Sequence, residues 1–395
     1  MGFEFVCSDC DATYDSEEKD LMVCPVCSQS QRPHEPLKGI LLINLHEDHH
    51  ANRFDASQLM PIDRTYWPDI NAGPTPLHTV SRLRHELVLD QLFVKNDGVS
   101  LTGSFKDRAS LLVAARAREI GCKEIVLAST GNAGSSMAGI GAASSLHVTL
   151  FLPAAAPRAK LIQSLQYGAR VVLVDGNYDR AYDLSLEYSQ KRGGMNRNTG
   201  YNPFTIEGKK SVVLELFQQL GTLPDVIFVP VGDGCILAGV FKGIADLHRF
   251  GFCRKQVKVI GVQSEKSAAL TRAFESPIGT FPKITATTLA DSISVDVPRV
   301  GSLALKYLSN FDGDMMTVSE DEILEAQTRL AASTGIFAEP AAAIVYAGLI
   351  ARRPSLSRDD RIVLLATGNG LKDVENASKI MPSLPRPIRS LEELS

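Results

Sequence analysis

From Trp67 onward the chain alternates between two kinds of apolar pattern. Short, nearly continuous apolar runs fall at 92–94, 124–127, 148–152, 170–174, 226–230, 258–263 and 361–366. Runs of that length, bounded by glycine and polar residues, predict buried strands. Between them lie longer stretches whose apolar positions recur every three to four residues. These predict helices at 105–120, 134–146, 159–167, 178–191, 208–220, 237–249, 320–332 and 341–351. A regular strand–helix alternation places the helices on the faces of mainly parallel sheets, so the expected class is α/β. No internal repeat interrupts it.

The first residues follow a different pattern. Cys7-Ser8-Asp9-Cys10 and Cys24-Pro25-Val26-Cys27 are two CxxC pairs separated by a short polar stretch. Each pair turns two thiolates toward one point, and two pairs complete a tetrahedral zinc site. The segment is too short for an apolar core, so a metal would supply its stability. A zinc-ribbon-like module is expected over 1–35, with Cys7, Cys10, Cys24 and Cys27 as ligands. A site that has lost its metal and a redox thiol pair are the alternatives. A linker is expected over 36–72, including the run His46-Glu47-Asp48-His49-His50. That run has no regular spacing and reads as a solvated loop rather than a second metal site. The catalytic core is expected over 73–395, its tail from Met381 lying on the surface.

Composition narrows the function. The 395 residues suffice for two domains, and 44% apolar with 22% charged residues is ordinary for a soluble protein. A net charge of -4 offers no surplus positive charge for nucleic acid. No apolar run is long enough for a bilayer, and Met1 to Cys10 lacks the pattern of a signal peptide. The expected location is the cytosol. Seven cysteines agree with it, since four have metal spacing and three are scattered.

In open α/β sheets, ligands bind where strands end and loops lead into helix N-termini. Four such junctions carry suitable residues. The first, LTGSFKDR, puts Lys106 in the first turn of a helix. The macrodipole disfavours a cation there, and burial would help deprotonate it. Alone, it also reads as a solvated surface lysine. The second, STGNAG, offers backbone amides at Ser129, Thr130 and Gly131 for a carboxylate, and an Asn132 amide for a phenolate-like oxygen. The third runs through Gly232, Asp233, Gly234, Cys235 and Ile236, where amides can surround a phosphate. The fourth, TGNGLKD, offers the neutral hydroxyl of Thr367 to a ring nitrogen. Each, alone, is also an ordinary turn with a helix cap.

Together the four segments resemble the threonine synthase family of fold-type II pyridoxal phosphate (PLP) enzymes, over about 74–379. NPFTIEG at 202–208 and Glu339-Pro340-Ala341 add to the likeness. The resemblance implies two open, mainly parallel α/β domains, the smaller over about 95–198 and closing on substrate. It implies that Lys106 carries PLP as a Schiff base, that Asn132 bonds the ring 3′-oxygen, that the Gly232–Ile236 loop cradles the phosphate, and that Thr367 faces the pyridine nitrogen. O-phosphohomoserine and water would give threonine and phosphate, with Lys106 as the base at Cα and Cβ. A hydroxyl opposite the ring nitrogen would leave that nitrogen largely unprotonated. A small amino-acid substrate and a homodimer are expected, without nucleic acid or membrane.

Two positions depart from the family pattern. Asp233-Gly234-Cys235-Ile236 stands where Asn-Ala-Gly-Asn is usual. An ionised Asp233 facing a phosphate is unfavourable, so its side chain is expected to cap the next helix. Thr205 stands where threonine synthases usually carry a phosphate-binding arginine. The alternative function is therefore a PLP-dependent β-elimination or replacement enzyme, such as a serine/threonine dehydratase. A regulatory protein retaining the fold is a third possibility.

Overall fold

The computed structural model describes residues 2–46, 54–70, 73–154, 158–379, 387–390 and 393. The histidine-rich run beyond His46 and most of the tail from residue 381 lie outside them.

Three strands build the N-terminal module: β1 (Phe3–Cys7), β2 (Thr13–Asp15) and β3 (Leu41–Leu45). They pair antiparallel in the order β2-β1-β3. The expected boundary at residue 35 is therefore too early. The apolar alternation Leu41, Ile43, Leu45 faces the same buried side as Phe3 and Phe5, so part of the expected linker is the third strand. Below this sheet the four cysteine sulfurs lie within 4.8 Å of one another. The Cys7–Cys27 and Cys10–Cys24 separations are both 3.8 Å. A tetrahedron with metal–sulfur bonds of ~2.3 Å has edges of about 3.8 Å, so the thiolates fit zinc. The amides of Asp9 and Cys27 and the Tyr14 hydroxyl point at these sulfurs.

Two sheets follow. Their strands are β4 (Leu77–Thr79), β5 (Gln91–Asn96), β6 (Glu124–Ala128), β7 (His147–Pro153), β8 (Arg170–Val174), β9 (Met195–Asn196), β10 (Val226–Pro230), β11 (Lys258–Ser264), β12 (Asp314–Val318) and β13 (Arg361–Ala366). The larger sheet has the order β12-β11-β10-β13-β5-β4 and is parallel except for β4. The smaller, fully parallel, has the order β8-β7-β6-β9. The central strands β10 and β13 are buried along nearly their whole length, which matches their continuous apolar sequences. Among the described residues no helix is long and apolar enough to cross a membrane.

Three helices converge under the large sheet: Lys106–Glu119, Phe204–Leu220 and Cys235–Arg249. They meet at backbone distance. A Cβ on Gly208 would lie 2.5 Å from the Arg108 carbonyl oxygen, and one on Gly239 would lie 2.6 Å from Lys209 Cβ. The middle helix starts four residues before the predicted 208, because Asn202 Oδ1 accepts the Phe204 amide at 2.9 Å and caps its first turn.

A buried charge cluster locks this packing. Arg108 holds both Glu215 oxygens, at 2.6 and 2.9 Å, and both Asp97 oxygens, at 2.8 and 3.2 Å. Lys95 reaches Glu215 at 2.6 Å. Burial alone would raise the Glu215 carboxyl, but Arg108 and Lys95 override it and hold the group down at about 2.

Candidate active site

Lys106 opens its helix beside the end of β13. The Phe105 amide donates to the Thr367 carbonyl at 2.8 Å, and the Asn369 amide to the Gly103 carbonyl at 3.0 Å. Glu339 N–H donates to the Gly368 carbonyl at 3.0 Å. These bonds zip the lysine loop, the Thr367 turn and Glu339 into one floor. Asp107, buried, fixes the loop by accepting the Thr102 amide at 2.7 Å. Lys106 is half-buried and faces a cleft of about 330 Å³ between the two sheets. Burial pushes its ammonium down to about 8, helped by Lys209 and Arg197 and opposed by Asp233 and Glu339. An amine so placed is partly neutral near physiological pH, as a nucleophile requires.

The loop after β6 supplies one end of the cleft. Ser129 Oγ accepts from the amides of Gly134 at 2.9 Å and Gly131 at 3.2 Å. Of the expected set Ser129, Thr130 and Gly131, the Gly131 amide is engaged within the loop. The amides of Thr130, Asn132 and Ala133 find no acceptor among the described residues, and they precede the helix Asn132–Ala143, which has no side-chain cap. Open amides at a helix N-terminus suit an anion. Asn132 Nδ2 donates to Glu339 at 2.8 and 3.1 Å and to Ser292 Oγ at 3.0 Å, while its buried Oδ1 has no partner.

The loop after β10 supplies the other end. Gly234 has φ +88°, which opens the turn into helix Cys235–Arg249. Gly232 leaves no room for a side chain, since a Cβ would lie 3.0 Å from Ile293 Cα. The amides of Gly232, Gly234, Ile236 and Leu237 have no acceptor among the described residues. Asp233 Oδ1 accepts the Cys235 amide at 2.9 Å, the helix-capping geometry expected, although the residue still borders the cleft. Thr367, nearly buried, lies on the floor; its hydroxyl makes no hydrogen bond among the described residues.

Several groups here had no role in the sequence reading. Glu339, 2% exposed, borders the Asn132 amide. Its signal was a carboxylate ahead of Pro340 and a purely apolar helix, where it serves as N-cap. Tyr178 and Tyr182 line the cleft with Arg299, which stacks on Tyr182 and pairs with Asp179 at 2.6 Å. Lys209 and Arg197 press on Lys106 from positions that periodicity treats as interior. A larger hollow, of about 700 Å³, lies by Trp67 and Arg108 and contains none of these groups.

A lysine with an ammonium near 8, facing two loops of open amides across the ends of parallel strands, is the arrangement of an enzyme that holds a phosphorylated aldehyde cofactor. The family model described as "Pyridoxal-phosphate dependent enzyme" matches residues 69–368. The match covers well over half of the chain, and the cofactor is pyridoxal phosphate. The threonine synthase of Methanocaldococcus jannaschii is 35% identical over 77% of this chain and 76% of its own length. That of Methanosarcina acetivorans is 33% identical over 80% and 79%. The chain belongs to the threonine synthase family, a lyase family within that class. Solved structures share its fold-type II architecture. The processed form of threonine deaminase isoform 2 from Solanum lycopersicum has a TM-score of 0.68, at 22% identity over 84% of this chain and 95% of that one. A fungal L-serine ammonia-lyase from Rhizomucor miehei has a TM-score of 0.67, at 23% identity over 78% and 98%.

Proposed function

We propose that the protein converts O-phosphohomoserine and water to threonine and phosphate. The observation that carries this reading is the meeting of Lys106, the loop of open amides after β6 and Asp233 of the loop after β10 on one cleft. Lys106 holds the cofactor. The amides of Gly232, Gly234, Ile236 and Leu237 hold its phosphate, with Asp233 turned into the Cys235 amide. Asn132 would donate to the ring 3′-oxygen, and the Thr367 hydroxyl would serve as the neutral partner of the ring nitrogen. Bound pyridoxal phosphate supplies the electron sink at the substrate α-carbon. The Thr130, Asn132 and Ala133 amides orient the substrate carboxylate. Lys106 would also move protons at Cα and Cβ, a task suited to an amine whose pKa burial lowers to about 8.

One observation favours a second reading, a serine/threonine dehydratase. Thr205 is fully buried, and its hydroxyl is committed to the Asn202 carbonyl at 2.7 Å and the Gly200 amide at 3.0 Å. No cation stands at that position. The two readings separate on incubating the holoenzyme with O-phosphohomoserine and, in parallel, with threonine. The first expects phosphate and threonine from the former. 2-Oxobutanoate from threonine, with no phosphate released from O-phosphohomoserine, would replace it by the second.

Two further outcomes follow. The rate at which apoprotein recombines with pyridoxal phosphate is expected to rise with pH and level off above about 8, because only the neutral amine attacks. A rate still climbing through the ordinary lysine range would contradict it. The cysteine cluster is proposed to hold one structural zinc. Metal analysis is expected to find one zinc per chain, and Cys24→Ser to release it. The module would then unfold at lower temperature, since metal binding there is folding energy. A metal-free protein with an unchanged melting profile would refute the zinc.

A further inference from the structure

Two buried cations lie beside the phosphate loop without a carboxylate partner among the described residues. Arg197 follows β9 and is 0% exposed. One terminal nitrogen donates to Thr199 Oγ1 at 2.9 Å, the other reaches Ser110 Oγ at 3.5 Å, and its buried Nε has no partner. Lys209 is 1% exposed and makes no ion pair. It stands one helical turn after Thr205, on the same helix face. Lys209 lies against the first turns of the phosphate-loop helix, its Cβ 2.6 Å from where a Cβ on Gly239 would stand, and its ammonium reaches the Cys235 thiol. Arg197 feels the same thiol and Asp233.

The neighbouring buried cations are treated differently. Lys210 pairs with Asp246 at 2.7 Å, and also with Glu207. Lys242 pairs with Asp246 at 2.5 Å. Arg108 and Lys95 share Asp97 and Glu215. A buried charge is costly unless an opposite charge meets it. Two that are left over, both within electrostatic reach of Lys106 and Cys235, suit an anion supplied from outside the chain.

We propose that Arg197 and Lys209 form a subsite for a phosphate monoester dianion, doing from these positions what an arginine at Thr205 would do. The proposal deepens the reading of the cleft as an O-phosphohomoserine site and rests on it for the substrate's phosphate. The cofactor's own 5′-phosphate is the other source of the same chemistry. A fixed guanidinium and an ammonium suit a phosphate, the first by directed hydrogen bonds and the second as a point charge.

The test uses holoenzyme, wild type against Arg197→Gln, Arg197→Lys and Lys209→Met. Inorganic phosphate is titrated calorimetrically, and bound cofactor is measured after dialysis. Phosphate affinity is expected to fall at least about tenfold in Arg197→Gln and Lys209→Met, with cofactor content kept, and to recover in Arg197→Lys. Cofactor loss from both variants, with no phosphate binding to wild type, would support the pair and assign it to the cofactor. Phosphate affinity and cofactor content both unchanged would overturn it. As apoprotein in phosphate-free buffer, Lys209→Met is expected to melt no lower than apo wild type, since it removes an unpaired buried charge. A large loss of stability there would mark Lys209 as structural and overturn its part. If wild type binds phosphate through these residues yet turns over no O-phosphohomoserine, the functional reading fails and the anion site stands.

Discussion

Lys106→Ala is expected to slow turnover of O-phosphohomoserine by at least about a thousandfold and to abolish the absorbance band of lysine-bound cofactor. Two roles end with this one side chain. The amine that attaches the cofactor is gone, and so is the group that moves protons at Cα and Cβ. The fold has no reason to suffer. Lys106 makes no ion pair among the described residues, and Lys209 and Arg197 both oppose its charge. Compared with cofactor-free wild type, the variant is therefore expected to melt at a similar temperature. Activity within about tenfold of wild type, measured as phosphate release, would remove Lys106 from the chemistry.

Arg108→Ala is expected to cost about 3–5 kcal/mol of stability, read by urea denaturation. The loss does not measure a favourable bond. It reflects the Asp97 and Glu215 carboxylates left buried beside one lysine. Glu215 also gives the cluster a pH signature. Its folded carboxyl sits at about 2, below the ordinary glutamate range. Its contribution, on the order of 3 kcal/mol, is complete above about pH 4.5 and is lost as pH falls toward 2. In Arg108→Ala that part of the acid dependence should shrink. A variant within about 1 kcal/mol of wild type, with the same acid limb, would show that the cluster does not hold the helices together.

Much of this was readable from the chain, for identifiable reasons. The strands β10 and β13 and the helices around them announce themselves because they are buried and continuous in apolar sequence. The four loops were legible because glycine and small polar residues at strand ends have few other uses. The short elements escaped. β9 is two residues, and β12, at the sheet edge, reads as a mixed polar segment. β3 was hidden in a stretch that contains Pro33 and Pro36, and its alternation has meaning only once β1 lies beside it. In the site, the sequence assigned roles to Lys106 and Thr367 but none to Glu339, Arg197 and Lys209. The role proposed for Arg197 and Lys209 depends on where buried charge goes unpaired. Arg108 and Lys209 are both buried cations on core helices, yet one is neutralised by two carboxylates and the other by none. Spacing along the chain carries no trace of that difference.

The central claim, that Lys106 is the lysine holding pyridoxal phosphate, is tested most directly by reducing the holoenzyme with borohydride and mapping the modified residue by peptide mass spectrometry. The phosphopyridoxyl group is expected on the peptide containing Lys106, at one per chain. The same group on Lys209, or on any other lysine with Lys106 unmodified, would contradict it.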